Sequence, residues 1–395
     1  GSGNYSTGEK ELEKFMRYKK WKKIPELILE YRGISKLKST YICNDDNTSG
    51  MYSHVTEKNR IHTSFNIFIP VTGRLSSSDP NITNIPNPSN GINIRHYFVP
   101  PNRKETWVVW ESDYQALEMR VAALLGKDKV MYQELLDGVD MHSSNSVYFG
   151  PKMNLLDSKV KYEDFKLIAK LDDIPEEELI KKYGSDAVKE MQNLHPKYKK
   201  LRHTAKSIAF GLFYGKESRT FAEETNVDQE KIEIGIDAFW GKYKGVHNYL
   251  EKNAEKAVTK GELVLPVTGR KRRFTAFAEW INSPEAEQIW KPDRFKSEIK
   301  RQAKNFPVQG FANEIFVGNV LKLIHAMREE KLKSQVLNFI HDGIVGIGPL
   351  SEMKKIEELC HSKMGTRIKS NGLDVPFPID FNANTRWYGE RILNY

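Results

Sequence analysis

A chain of 395 residues, 39% of them hydrophobic, can bury a large core and divide into two or three subdomains. Its 61 Lys and Arg against 52 Asp and Glu leave a net charge of +9, which favours a polyanionic partner, either nucleic acid or an anionic membrane. Two distant cysteines, Cys43 and Cys360, exclude a disulfide framework or a cysteine zinc site, and no run of 18 apolar residues offers a membrane span. The polar N-terminus lacks the apolar core of a signal peptide, so a soluble, cytoplasmic, non-exported protein is expected, and the leading Gly-Ser-Gly reads as an expression scar.

From Glu9 to about Lys38 the pattern is helical, with Leu27, Ile28, Tyr31, Ile34 and Leu37 at helical spacing, and it ends in the basic, hydroxylated KLKSTY. Residues 42–106, rich in Asn, Ser, Pro and Thr, predict short strands and ordered loops. TWVVWESD predicts a buried strand and QALEMRVAALLGKDKVMYQELL a helix, which sets Asp113 where a strand turns into a helix. Residues 151–195 are charged and helical, without evident chemistry. A new helix is expected from Pro196, a residue suited to a first turn, to a stop at Gly215. A helical block over 228–260, a hairpin in GELVLPVTGRKRRF and a helix from about Arg294 to Arg328 follow. QVLNFI and GIVGIG then read as two strands whose tight turn carries His341 and Asp342.

Two carboxylates at the ends of adjacent strands suit hard divalent ions that clamp an in-line phosphoryl displacement. Asp113 and Asp342 are the candidates, although each alone also reads as a strand-end turn residue. Arg202, Lys206, Phe210 and Tyr214 recur every four residues, so they line one slowly turning helix face. Cations about 6 Å apart along a helix suit a triphosphate and the rings beyond them suit a stacked base; an ordinary amphipathic helix with core-facing rings is the alternative.

RHTAKSIAFGLFYG resembles the fingers helix of family A DNA polymerases, the DNA polymerase I class of bacteria and phages. SDYQALEMRVAALL and FIHDG are similar to that family's first and last palm motifs, and TGRLSSSDPNITNIP (72–86) to its primer-side palm segment. ILEYRGISKLKSTY resembles the end of its thumb, GVDMH a fingers motif, and RQAKNFPVQGFANEI the helix that follows the minor groove. The resemblance implies an α+β right-hand fold with an antiparallel palm sheet, helical fingers and a partial helical thumb. It divides the chain into a thumb remnant (1–44), palm (45–126), fingers (127–300, with an insertion near 151–195 read as a helical pair) and palm again (301–395).

The same resemblance implies a DNA-directed DNA polymerase with two magnesium ions, manganese being able to substitute, held by Asp113, Asp342 and the backbone carbonyl of Tyr114. Arg202, Lys206 and His142 would bind the triphosphate, Lys206 also protonating the leaving pyrophosphate. Phe210 would pack on the incoming nucleotide and Tyr214 would close the new pair; Gln115 falls beside them in the nucleotide site. Glu118 would occupy the space of a ribose 2′-hydroxyl and so select deoxynucleotides. Arg74, Asn81, Arg301, Asn305, Gln309 and His341 would meet the primer-template, as would Lys36, Lys38, Ser39 and Thr40 on the product backbone. Read without the resemblance, Gln309 belongs to a turn after Pro307.

Gly343 stands where the family usually has Glu, and Gln115 and Ala116 where it has Ser and Gln. The resemblance finds no counterpart here of the family's exonuclease-like domain or complete thumb, and the Asp-x-Glu pair Asp228 and Glu230 looks like a helix N-terminus, so no proofreading is expected in this chain, and weak processivity unless a separate exonuclease or thumb region or a processivity factor supplies the grip. A single-subunit RNA polymerase and a nucleic-acid-binding protein that has lost catalysis are the competing readings. Glu118 opposes the first, and the intact Asp113, Asp342, Arg202 and Lys206 oppose the second.

Overall fold

The structure is a computed structural model that describes residues 7–16, 22–43, 49–67, 69–86, 92–101, 104–281, 283–285, 292–370 and 372–392. The Gly-Ser-Gly start lies outside them.

The centre is a four-stranded antiparallel sheet in the order Ile379–Asn384, Trp107–Tyr114, Gly343–Pro349, Gln335–Ile340. Alternation along these strands splits their side chains between two cores. Val108, Trp110 and Ile344 join the main core, whereas Val109 and Val345 join a smaller one with Met51, Ile82, Ile85, Ile94 and Trp387. Gly346 is dictated by this packing: a Cβ there would fall 2.2 Å from the Trp110 indole, which is itself fully buried.

The main core face is covered by Leu117–Gly126 and by the 38-residue helix Pro292–Glu329. The long helix runs through Pro307, so Gln309 is helical and buried rather than part of a turn. An interior proline removes one backbone bond and costs about 3 kcal/mol. Burying Phe306, Phe311 and Phe316 on the same helix offsets that, at about 1.5–3 kcal/mol for each side chain.

Pro196 behaves likewise, against the expected helix start. One helix spans Ser185–Phe213 with Pro196 inside it. Val188 on one side of the proline packs with Leu171 and Leu179, while Tyr198 and Leu201 on the other pack with Phe165 and Ile168. With both halves anchored, tertiary packing overrides the local break. Elsewhere the expected elements subdivide. The helix after Asp113 ends at Gly126 and restarts at Lys129, because Lys127 turns left-handed (φ 51°) and Asp128 caps the new helix. The block over 228–260 is two helices, Gln229–Lys242 and Lys244–Lys260, with Asp228 at the first N-cap position. Strands Glu262–Val264 and Lys271–Arg273 pair as the expected hairpin.

The N-terminal helical stretch is at least two helices, Glu9–Phe15 and Lys23–Leu37, the second continued by a π-helical turn over Lys38–Ile42. Of its periodic apolar residues, Leu37 packs against the smaller core, whereas Leu27, Tyr31 and Ile34 are 49%, 72% and 47% exposed. Strands Ser64–Asn66 and Ser76–Ser78 pair in the following segment, where Asn81 Oδ1 accepts from Ser77 Oγ, Thr83 Oγ1 and the Asn84 amide. No helix among the described residues is long and apolar enough to cross a membrane.

Candidate active site

Strand register brings the two aspartates together. Asp113 pairs across the sheet with Gly343, so Asp342, the preceding turn residue, lies beside it, and the Tyr114 amide donates to the Asp342 carbonyl at 3.3 Å. Both carboxylates adjoin strained backbone. Ala116 (φ 52°) turns the chain from the Asp113 strand into its helix, and His341 (φ 52°) opens the hairpin turn before Asp342. Left-handed non-glycine residues cost of order 1–3 kcal/mol and cluster where a side chain must be aimed. Gly343 is tightly placed: a Cβ would meet Asp113 Oδ1 at 2.9 Å and the Ser112 carbonyl at 3.1 Å.

The electrostatics follow from this crowding. Asp113 is open to solvent at its tip yet walled by protein; desolvation, and then the Asp342 charge, push its carboxyl up to about 7. Asp380, opposite Asp113 on the neighbouring strand, adds to the rise and accepts from Gln115 Nε2 at 2.6 Å. Burial also raises Asp342, against the pull of Arg74 and His341. Among the described residues no three acidic, His or Cys side chains form a metal cage. Two converging carboxylates nevertheless fit magnesium, which is usually held by one or two carboxylates together with substrate phosphates.

Above the aspartates lies a second cluster. Glu118, 4% exposed, accepts from the Tyr214 hydroxyl at 2.9 Å on both oxygens and pairs with Arg74, whose Nη2 is also 3.5 Å from Asp342 Oδ1. Burial raises the Glu118 carboxyl despite Arg74. Gln309 reaches both Glu118 and Tyr214. Tyr214 thus links the end of the Arg202 helix to Asp342 through Glu118 and Arg74.

At the other end of that face, Arg202 forks onto Asp140, with Nε to Oδ2 at 3.1 Å and Nη2 to Oδ1 and Oδ2 at 3.2 and 3.0 Å. Asp140 also caps the helix Met141–Phe149 by accepting the His142 and Ser143 amides. Burial opposes its charge, but Arg202 and Lys170 outweigh this and hold the carboxyl down at about 2. Burial and the surrounding cations hold His142 at about 4, neutral at pH 7, with its ring 5.5 Å from Phe210. Lys206 is exposed between them.

The remaining predicted contacts are spread out. Arg301 pairs with Glu298 and lies against Gly215, where a Cβ would be 2.5 Å from its Cγ; Asn305 is half-buried one turn further along. His341 is exposed at the hairpin tip, and Lys36, Lys38, Ser39 and Thr40 are exposed at the end of the N-terminal helical stretch. Asp140, Lys170 and Asp380 were not picked out from sequence. For Asp140 a signal existed, an Asp two residues before His142 at a helix start; for the other two only the tertiary arrangement reveals the partner.

The sequence model of DNA polymerase family A matches residues 1–161 and 179–389. The DNA polymerase I of Bacillus subtilis (strain 168) is 28% identical over 385 residues, covering 97% of this chain and 36% of the relative. That of Synechocystis sp. is 28% identical over 391 residues, covering 97% and 34%. The chain therefore spans about a third of the length of these relatives. Among solved structures, the POL domain of Pol1 from M. smegmatis, in complex with DNA primer-template and dNTP, superposes with a TM-score of 0.72 at 24% identity, covering 98% of this chain and 57% of that one. The right-hand polymerase fold is shared, and with the family model covering all but short stretches, this chain belongs to DNA polymerase family A.

Proposed function

We propose that this chain is the polymerising part of a DNA-directed DNA polymerase, extending a primer 3′ end with deoxynucleoside triphosphates on a DNA template. The observation that carries this is the strand register that sets Asp342 beside Asp113, with a helix end tied to Asp342 through Tyr214, Glu118 and Arg74. We read 1–44 as the thumb remnant, 45–126 and 301–395 as palm, and 127–300 as fingers.

Magnesium, bound by Asp113, Asp342 and the Tyr114 carbonyl, would supply the positive charge that activates the primer oxygen and neutralises the leaving pyrophosphate. The chain's own groups do the rest. Arg202 and Lys206 bind the triphosphate, and Lys206 gives a proton to the leaving group. His142, neutral, offers a ring N–H to a phosphate oxygen. Phe210 packs on the nucleotide, and Glu118, fixed by Tyr214 and Arg74, fills the space a 2′-hydroxyl would need. Arg74 neutralises Asp342 until DNA arrives and then joins Arg301, Asn305 and Gln309 on the minor-groove edge, where acceptors are nearly independent of sequence. Gln115 borders the nucleotide, Asn81 and His341 border the primer end, and Lys36, Lys38, Ser39 and Thr40 hold the product backbone.

Primer extension with deoxy- and ribonucleotides side by side tests the reading, with Asp342→Ala as the control. Extension with deoxynucleotides, abolished in the variant while primer-template binding persists, is expected. A preference for ribonucleotides, or a variant as active as wild type, would overturn it.

A further inference from the structure

The family model passes over residues 162–178, yet this segment is built into the candidate triphosphate site. It comprises the helix Tyr162–Ala169, a 3-10 turn at Leu171–Asp173 and the start of the helix Glu176–Tyr183. The segment packs on the Arg202 helix: Phe165 and Tyr198 stack with centroids 4.9 Å apart and planes 16° apart, in one small core with Ile168 and Leu201. Both ends of its first helix reach the same residue. The Tyr162 hydroxyl accepts the Asp140 amide at 2.9 Å, and Lys170 Nζ lies 3.3 Å from Asp140 Oδ2.

Asp140 therefore carries two cations on one carboxylate. Its side chain is 10% exposed, against 25% for Arg202 and 36% for Lys170. Arg202, Lys206 and Lys170 all bear on the neighbouring His142, so the three cations surround one spot. The fork occupies Nε and Nη2 of Arg202, so turning that edge of the guanidinium to a triphosphate takes it off Asp140. A buried carboxylate stripped of its partner is costly, and that cost falls on nucleotide affinity unless another cation remains.

We propose that Lys170 is a positioning residue that stays on Asp140 as its counter-charge when Arg202 moves to the incoming triphosphate. The inference deepens the polymerase reading and rests on it. Lys170 touches no phosphate; it lowers the cost of freeing the group that does. The segment outside the family model thereby tunes nucleotide affinity in this chain.

Single-turnover incorporation of one nucleotide, titrated with dATP, separates apparent Kd from maximal rate. Lys170→Met is expected to raise the apparent Kd about tenfold, well short of the loss from a fully buried pair because the Lys170 side chain is 36% exposed, with the maximal rate within about twofold. Lys170→Arg should restore the Kd. In an Asp140→Asn background, where no charge needs a partner, Lys170→Met should change nothing further. An unchanged Kd in Lys170→Met overturns the proposal. So does an effect that persists in the Asp140→Asn background, which would mean direct phosphate contact. A fall in maximal rate shared by Lys170→Met and Lys170→Arg overturns it too, as a merely structural role. Wild-type protein that incorporates no nucleotide would instead sink the polymerase reading, and this inference with it.

Discussion

Removing the Glu118 side chain should open the nucleotide site to ribonucleotides. The carboxylate is 4% exposed and held from two sides, by both 2.9 Å contacts to the Tyr214 hydroxyl and by Arg74, so it cannot swing aside without losing these bonds. Forcing an extra oxygen-sized group into filled space costs about 1–3 kcal/mol. At about 1.4 kcal/mol per factor of ten, that is a discrimination of roughly 5- to 150-fold. Glu118→Ala is expected to shrink the ratio of kcat/KM for dCTP over CTP by this factor. Tyr214 and Arg74 lose a partner in the same variant, so deoxynucleotide incorporation falls as well, and the ratio is the informative quantity. Glu118→Gln keeps the volume and removes the charge; it should loosen Arg74 yet keep most of the discrimination. Single-nucleotide extension on a DNA template measures both ratios. An unchanged ratio in Glu118→Ala, or equal relaxation in both variants, would refute the steric argument.

The Asp113 carboxyl, lifted to about 7 in the fold from about 4 in an unfolded chain, binds a proton that the unfolded chain releases, so its contribution to stability is lost as pH rises from about 4 to 7. Asp113→Asn in chelator should therefore raise Tm at pH 8 and leave it little changed at pH 4, and wild-type magnesium affinity should fall below pH 7; equal Tm shifts at both pH values would contradict this. Gly343→Ala places a methyl against Asp113 Oδ1 and the immovable Ser112 carbonyl, so the carboxylate must shift. A shift of tenths of an ångström is expected to cost up to about tenfold in rate, against about a hundredfold for 1 Å, to be read as kcat of extension by a variant with an unaltered far-UV CD spectrum. Tyr114→Phe removes a buried hydroxyl that donates to the Met364 carbonyl at 2.6 Å and accepts from Asn319 Nδ2 at 3.0 Å. Urea denaturation should show a loss of about 1–2 kcal/mol with no change in nucleotide Kd.

The pieces of the site that depend on neighbours in the chain were legible before any coordinates. The apolar run 107–110 marks the strand that delivers Asp113, the four-residue spacing from Arg202 to Tyr214 marks one helix face, and the two residues between QVLNFI and GIVGIG mark the turn that holds Asp342. Proline was the misleading signal. Pro196 suggests a helix start and Pro307, read alone, a turn at Gln309; both lie inside helices, as the expected helix from Arg294 to Arg328 already had it for Pro307, because buried side chains on either side outweigh one missing backbone bond. The apolar periodicity of Leu27, Tyr31 and Ile34 was equally local: it foretold a helix and was silent on which way the face points.

By itself, then, the amino-acid order determined the family, the elements and the residue types available for chemistry, since motifs and periodicities are written in short stretches of chain. Only the tertiary structure decided which charges meet. The pairing of Asp113 with Gly343, 230 positions away, the fork of Arg202 on Asp140 and the approach of Lys170 to that same carboxylate all depend on sheet register and helix packing. Electrostatic interaction falls with distance through space, and no pattern along the chain encodes that distance.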